Sequence, residues 1–200
     1  FLDGVNLSKQ FFIKWRNLPI RIDNDAKGFL RAELRFGQAR GKRNVVALTL
    51  GTGVGGAVAV DGRLLQGTHG PAFELGHIVI GSAGNKALNL EALVSSHGFH
   101  RLVIEDPLDS QNRAFAGDKR SIAVYKKVGV YLGRALASLV NIFDPESKIA
   151  WGRYPSNGCT SNGFNSLIAS AAVTSTCSES NGANLGYFTQ HSLFFSFSWI

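Results

Sequence analysis

The chain has 200 residues, of which 44% are hydrophobic and 18% charged, a balance that supports a buried core and excludes an intrinsically disordered chain. Its formal net charge of +7 invites a nucleic-acid partner, yet Lys and Arg are scattered and the tightest group is Arg40, Lys42 and Arg43. That group reads as a solvated loop, so no nucleic-acid partner is expected, and the basic balance also suits ligands that carry phosphate. Cys159 and Cys177 provide neither a disulfide framework nor a metal-ligand spacing, which agrees with a reducing cytoplasmic setting. The most apolar segment, VGVYLGRALASLVNIF, is interrupted by Arg134 and too short to span a bilayer, so no membrane partner is expected. The chain contains no Met, as expected of one that starts inside a longer protein.

Phe1 to Ile22 reads as a loop or extended approach ending in a short strand, Pro19 to Ile22. The period then changes. Asp23 or Asn24 can cap a helix whose apolar positions include Phe29, Leu30 and Leu34, with Gly37 and Gly41 at its fraying end. VVALTL (45–50) predicts a buried strand, GAVAV (56–60) the next, and Asp61-Gly62 a hairpin turn. A loop passes into a strand at His77 to Ile80, and NLEALVSSHGFHRLV reads as a helix. After the polar stretch DPLDSQNRAFAGDKR, a long helix is predicted from Ser121 to Phe143, with Ile122, Val128, Leu132, Leu136 and Leu139 on one stripe. Gly129 and Gly133 suit close packing against that helix. Asp144-Pro145 ends it, and Lys148 to Ala150 begins another apolar run. From Trp151 onward Ser, Asn and Gly crowd the sequence, with Arg153 and Glu179 as the only fully charged side chains. No fold is assigned there.

Three features carry chemistry. Gly51-Thr52-Gly53-Val54-Gly55-Gly56 lets backbone N–H groups converge on an anion beside a Thr hydroxyl, or is merely a tight turn between two strands. It is neither a Walker loop nor a dinucleotide fingerprint, because no Lys-Ser or Lys-Thr follows and a strand succeeds the glycines. Asp25 sits at a strand-to-helix junction. It reads as a cap, or, if Asp23 or Asn24 caps instead, as a base for a hydroxyl substrate. Glu74 and His77 can face one cleft and grip vicinal hydroxyls, the carboxylate accepting and the imidazole donating or accepting. The rival for His77 is zinc, but GSAGNKALNLEAL supplies no Cys or His, and His97 and His100 lie on a helix without a cysteine partner.

In this order, RIDNDA (21–26), NVVALTLGTGVGGAVAVDGRLLQG (44–67), FELGHIVI (73–80), NLEALVS (89–95) and LGRALASLVNIFDPE (132–146) resemble the ROK family of sugar kinases, glucokinase-like or N-acetylhexosamine-kinase-like, and its related repressors. The resemblance covers residues 3–149. It implies an α/β, actin-like (ribonuclease-H-like) ATPase fold of two lobes closing over ATP and a sugar, here partial and mainly the C-terminal lobe. It implies that Asp25 removes the proton from the attacking hydroxyl, that Asn24, Glu74, His77 and Glu91 hold the sugar, and that Gly51, Thr52 and Gly53 lie against the ATP phosphates. ATP with Mg2+ would be the cosubstrate, a hexose or N-acetylhexosamine the acceptor, and a homodimer the family's frequent state.

Four departures qualify this. The N-terminal lobe with its Asp-x-Gly-Gly-Thr hairpin is absent, so the chain by itself is expected to show little or no kinase activity. GSAGNKALN stands where the family has a cysteine-rich zinc loop, so structural zinc is not expected. Lys27 replaces a common Asn and either favours the ionised form of Asp25 or points to solvent. After Ile149 the family's Gly-rich adenosine turn is missing. The expected layout is residues 1–23 as the end of an N-terminal lobe or interlobe segment, 24–149 as the sugar-kinase lobe, and 150–200 as an unassigned tail, read as frame-altered or unrelated sequence. The rival function is a sugar-sensing repressor; Asp25 and the Gly51-Thr52-Gly53 turn favour the kinase.

Overall fold

The computed structural model describes residues 4–15, 22–68, 73–102, 107–152 and 192–196. It opens with a helix, α1 (Leu7–Lys14), where the sequence suggests a loop. Phe11, Phe12 and Ile13 are consecutive and show no helical period, so local contacts decide the conformation. Asn6 accepts from the Lys9 N–H at 3.0 Å, and the rings of Phe11 and Trp15, one turn apart, stack at 5.4 Å. The expected strand at Pro19 to Ile22 falls outside the described residues except for Ile22, which is not in a strand.

From Asn24 onward the predicted elements form. Helix α2 (Asp25–Phe36) is followed by strands β1 (Val45–Leu50), β2 (Val54–Val60) and β3 (Arg63–Leu64). Asp61 and Gly62 both take positive φ, 52° and 75°, the twist that joins β2 to β3 tightly. Strands β6 (Ser147–Gly152) and β7 (Ser192–Ser196) complete a five-stranded sheet of order β3-β2-β1-β6-β7. The first three strands are antiparallel, and β6 and β7 run parallel to β1. This is the expected partial actin-like, ribonuclease-H-like α/β architecture.

Several elements differ from expectation. A 3-10 turn, η1 (Leu75–His77), occupies the start of the supposed strand, because His77 and Ile78 donate back to the carbonyls of Glu74 and Leu75. The strand itself is β4 (Val79–Ala83), paired with an unforeseen β5 (Lys86–Asn89) through a turn at Gly84, φ 58°. The single helix expected after it is two, α3 (Leu90–Val94) and α4 (Ser96–Leu102). Ser95 separates them in an extended conformation, and its Oγ accepts from the Gly98 N–H at 3.1 Å, capping α4. The polar stretch contains helix α5 (Pro107–Phe115), opened by a proline where a missing N–H costs nothing. Helix α6 (Lys119–Phe143) starts earlier than predicted because Asp118 caps it, accepting from Ser121 N–H at 2.8 Å. Its buried stripe runs through Ser121 and Tyr125 rather than Ile122, then Val128, Leu132, Leu136 and Leu139, with Gly129 and Gly133 buried beside it. Strand β6 crosses the expected boundary at residue 150, and β7 lies within the unassigned tail.

Alternation along β1 and β2 divides the core. Val46, Leu48, Leu50, Val54 and Val58 face α3, α4 and α6, where Phe99 and Tyr125 pack at 4.9 Å. The other face presents Val45, Ala47, Ala57 and Ala59 to Ala26 and Leu30 of α2. Small residues on that face let α2 sit close. A Cβ at Gly55 would come within 3.1 Å of the Ala26 Cβ, so the glycine brings the first turn of α2 to the start of β2. On the opposite face η1 presses on β2: a Cβ at Gly76 would meet the Val54 carbonyl. Among the described residues no helix is long and apolar enough to cross a membrane.

At the far end of the sheet, Glu146 accepts from the Arg43 and Asn44 N–H groups at 3.0 and 3.1 Å, and these bonds hold its carboxyl below the usual range. Lys148, buried in β6, is lowered from the ordinary lysine value by desolvation, partly opposed by Asp144. The folded chain therefore binds fewer protons at this site than the unfolded chain just below 10.5, and stability rises with pH there. Lys148→Met should be more stable than the parent at neutral pH, with the difference narrowing as pH approaches 10.5, as followed by urea denaturation. Gly76→Ala should lower stability by about 1–3 kcal/mol in the same assay, because η1 must move off β2.

Candidate functional site

The β1–β2 turn is Gly51-Thr52-Gly53, at one end of the five-stranded sheet. It is tied down from several directions. Gly51 N–H donates to the Gly53 carbonyl at 2.9 Å, and Ser96 N–H donates to the Gly51 carbonyl at 2.9 Å. The His97 Nδ1 lies 3.0 Å from the Thr52 carbonyl, a contact that requires the proton on Nδ1. Glu91 Oε2 accepts from the Val54 N–H at 2.9 Å, and a Cβ at Gly53 would stand 2.7 Å from that same oxygen. Glycine at 53 leaves room for the carboxylate, which a side chain there would push aside. The loop is a strand-to-strand turn, and the helices behind it leave Thr52 exposed.

The acidic and amide residues before α2 divide their work. Asp23 pairs with Arg31 at 2.9 Å and accepts from Asn24 N–H at 3.0 Å. Asn24 is the cap, its Oδ1 accepting from Lys27 N–H at 3.1 Å. Asp25, in the first turn and exposed, accepts from the Ala26 N–H through Oδ1 at 2.9 Å. The capping role that the sequence left open between Asp25 and its neighbours therefore falls to Asn24. Lys27 is buried, 6% exposed, which removes the reading that it points to solvent.

On the opposite face of β2, Glu74 and His77 are both exposed at the two ends of the η1 turn. His77 Nδ1 lies 3.2 Å from Asn89 Nδ2. Asn89 also caps α3, accepting from Ala92 N–H at 2.9 Å. The structure thus brings Glu91 to the glycine turn and His77 to the residue before α3. It places Asp25 on the α2 side of β2 and Glu74, His77 and Glu91 on the η1–α3 side, with the turn at the end they share. Asn89, Ser96 and His97 are contacts the sequence reading missed. The one available signal was an Asn two residues before Glu91, at a helix start, since a capping side chain keeps a second polar atom for another partner. Among the described residues no three or more His, Cys, Asp or Glu side chains gather as a metal group. The β4–β5 hairpin occupies the segment GSAGNKALN.

A family model described as ROK family matches residues 4–170, continuing past residue 149. A glucokinase of Halalkalibacterium halodurans is 31% identical over 169 residues, covering 72% of this chain and 51% of that protein. Among solved structures, a ROK family transcriptional regulator, homologous to the E. coli MLC protein, superposes with a TM-score of 0.75 at 26% identity, over 96% of this chain and 51% of that one. A ROK hexokinase from Thermus thermophilus gives a TM-score of 0.71 at 26% identity, over 93% of this chain and 62% of that one. The chain spans about half the length of the glucokinase it matches. With the family match running across α2, the glycine turn, η1 and α3, this chain belongs to the ROK family.

Proposed function

We propose that this chain supplies the acceptor site and one phosphate-binding turn of an ATP-dependent sugar kinase acting on a hexose or N-acetylhexosamine. The observation that carries the reading is the fastening of Glu91 to the glycine turn, with His77 held from the same short helix, α3. A phosphate turn and a hydroxyl clamp that share one support keep donor and acceptor in register, which phosphoryl transfer requires. The similarity to a glucokinase and to a hexokinase supports the substrate class.

In this reading the sugar's hydroxyls are held by Asn24, Glu74, His77 and Glu91. The amide of Asn24 and the second carboxylate oxygen of Glu91 remain for that task after their structural bonds. Gly51, Thr52 and Gly53 meet the ATP phosphates with backbone N–H groups and a hydroxyl. Asp25 accepts the proton of the attacking hydroxyl as its oxygen bonds to the γ-phosphorus. The bond from that phosphorus to the β,γ-bridging oxygen breaks, and ADP departs with the electron pair. When bound with ATP, Mg2+ would offset phosphate charge; the Thr52 hydroxyl is the hard oxygen donor at the phosphate turn, and Asp25 stays unligated as the base.

The similarity to a transcriptional regulator favours a second reading, a sugar-sensing repressor built on the same lobe. Retention of Asp25 and of the Gly51-Thr52-Gly53 turn supports the kinase. In the protein that carries this chain, Asp25→Asn should lower turnover by about 10²–10⁴-fold in an ADP-release assay while sugar affinity changes little. Equal turnover removes Asp25 as base, and sugar binding without ATP binding in the parent favours the repressor. Glu91→Ala should weaken sugar and nucleotide together, each by about 3–30-fold in calorimetry, whereas Glu74→Ala should weaken sugar alone.

A further inference from the structure

The contact between His77 and Asn89 contains more information than its length. A carboxamide has one accepting oxygen and one donating NH2 group. Which end points where is ordinarily open to assignment, but here the helix settles it. Asn89 takes an extended backbone, φ −86° and ψ 165°, immediately before α3, and its Oδ1 accepts from the Ala92 N–H at 2.9 Å. Reversing the amide would set its NH2 against that N–H, donor facing donor. With the oxygen anchored, Nδ2 is the atom that stands 3.2 Å from His77 Nδ1. An NH2 group can only donate, so Nδ1 is the lone-pair nitrogen, and the neutral ring carries its proton on Nε2.

We infer that Asn89 is a positioning residue that sets His77 in the Nε2–H tautomer, so that the imidazole presents a hydrogen-bond donor to the ligand. This rests on the reading of His77 as part of a sugar clamp and deepens it. The sequence leaves the imidazole free to donate or accept; the cap of α3 makes it donate. The sugar oxygen that meets His77 is then an acceptor, and its own hydroxyl proton is available to a carboxylate. Glu74, at the other end of the same 3-10 turn, is an acceptor only. The pair is therefore polarised for adjacent oxygens, with one receiving a proton from nitrogen and the other giving a proton to oxygen. The β4–β5 hairpin places this carboxamide, the last residue of β5, beside the ring.

The test uses this chain with isotope-labelled histidine and reads the ring-nitrogen signals of His77 by NMR, which separates the two tautomers without any need for turnover. The parent should show His77 as Nε2–H. Asn89→Asp keeps an oxygen for the Ala92 cap and replaces the donor with an acceptor, so the proton should move to Nδ1. Asn89→Ser keeps the cap but lacks the reach, so the ring should relax to a mixture. A parent ring protonated on Nδ1, or an Asn89→Ser ring still wholly Nε2–H, overturns the inference. Calorimetry with glucose and with N-acetylmannosamine forms a second arm, in which Asn89→Ser should weaken binding by about 2–10-fold. The expected tautomers without any sugar binding would refute the sugar reading alone, and unaltered sugar affinity in Asn89→Ser would refute the coupling of tautomer to ligand.

Discussion

The glycine turn and the imidazole of His77 are both held by the way one short helix begins. The first turn of α3 carries Asn89 at its cap and Glu91 just inside, and each makes a bond outward as well as a bond or contact that keeps the helix in place. Glu91 reaches the Val54 N–H at the glycine turn, and Asn89 reaches the imidazole of His77. A helix of five residues is too short to be stable by its own hydrogen bonds. It is held by Leu90, Leu93 and Val94, which are buried in the main core against α6 and the sheet. The apolar side of α3 fixes the helix, and its polar end organises the site.

The two faces of β1 and β2 perform different tasks through side-chain size. Large aliphatic residues on one face build the larger of the two core clusters with α6, the longest of the described helices. Alanines and a glycine on the other face contribute less burial but allow α2 to approach, which brings Asp25 to the end of the sheet where the turn lies. Close approach recurs on the other side, where Gly76 lies against the Val54 backbone and holds η1 to β2. Precision at this end of the molecule thus comes from small residues, and stability from large ones elsewhere.

Much of this was legible beforehand. The strands at 45–50 and 56–60, the turn at Asp61-Gly62, the helix after Asn24 and the long helix ending at Asp144-Pro145 follow from periodicity and from turn and cap chemistry. Those signals are local, and local signals survive folding when packing agrees with them. Elements decided by single hydrogen bonds escaped. The cap at Asn6 makes α1, the hydroxyl of Ser95 breaks what periodicity joins, and Asp118 extends α6 backward. Residues 1–23 and 150–200, set apart in the sequence reading, contain α1, part of β6 and β7.

By itself the sequence determined the residue types at the site, the turn between the two central strands and the family resemblance, because these are carried by short stretches whose chemistry is readable in order. Tertiary structure alone decided which residue caps α2, that Lys27 is buried, that Glu91 is bonded to the turn and that Asn89 meets His77. Apart from the cap, which joins residues three apart, these are relations between segments separated along the chain. A side chain with two polar atoms does not declare its second partner until packing brings that partner within hydrogen-bond distance.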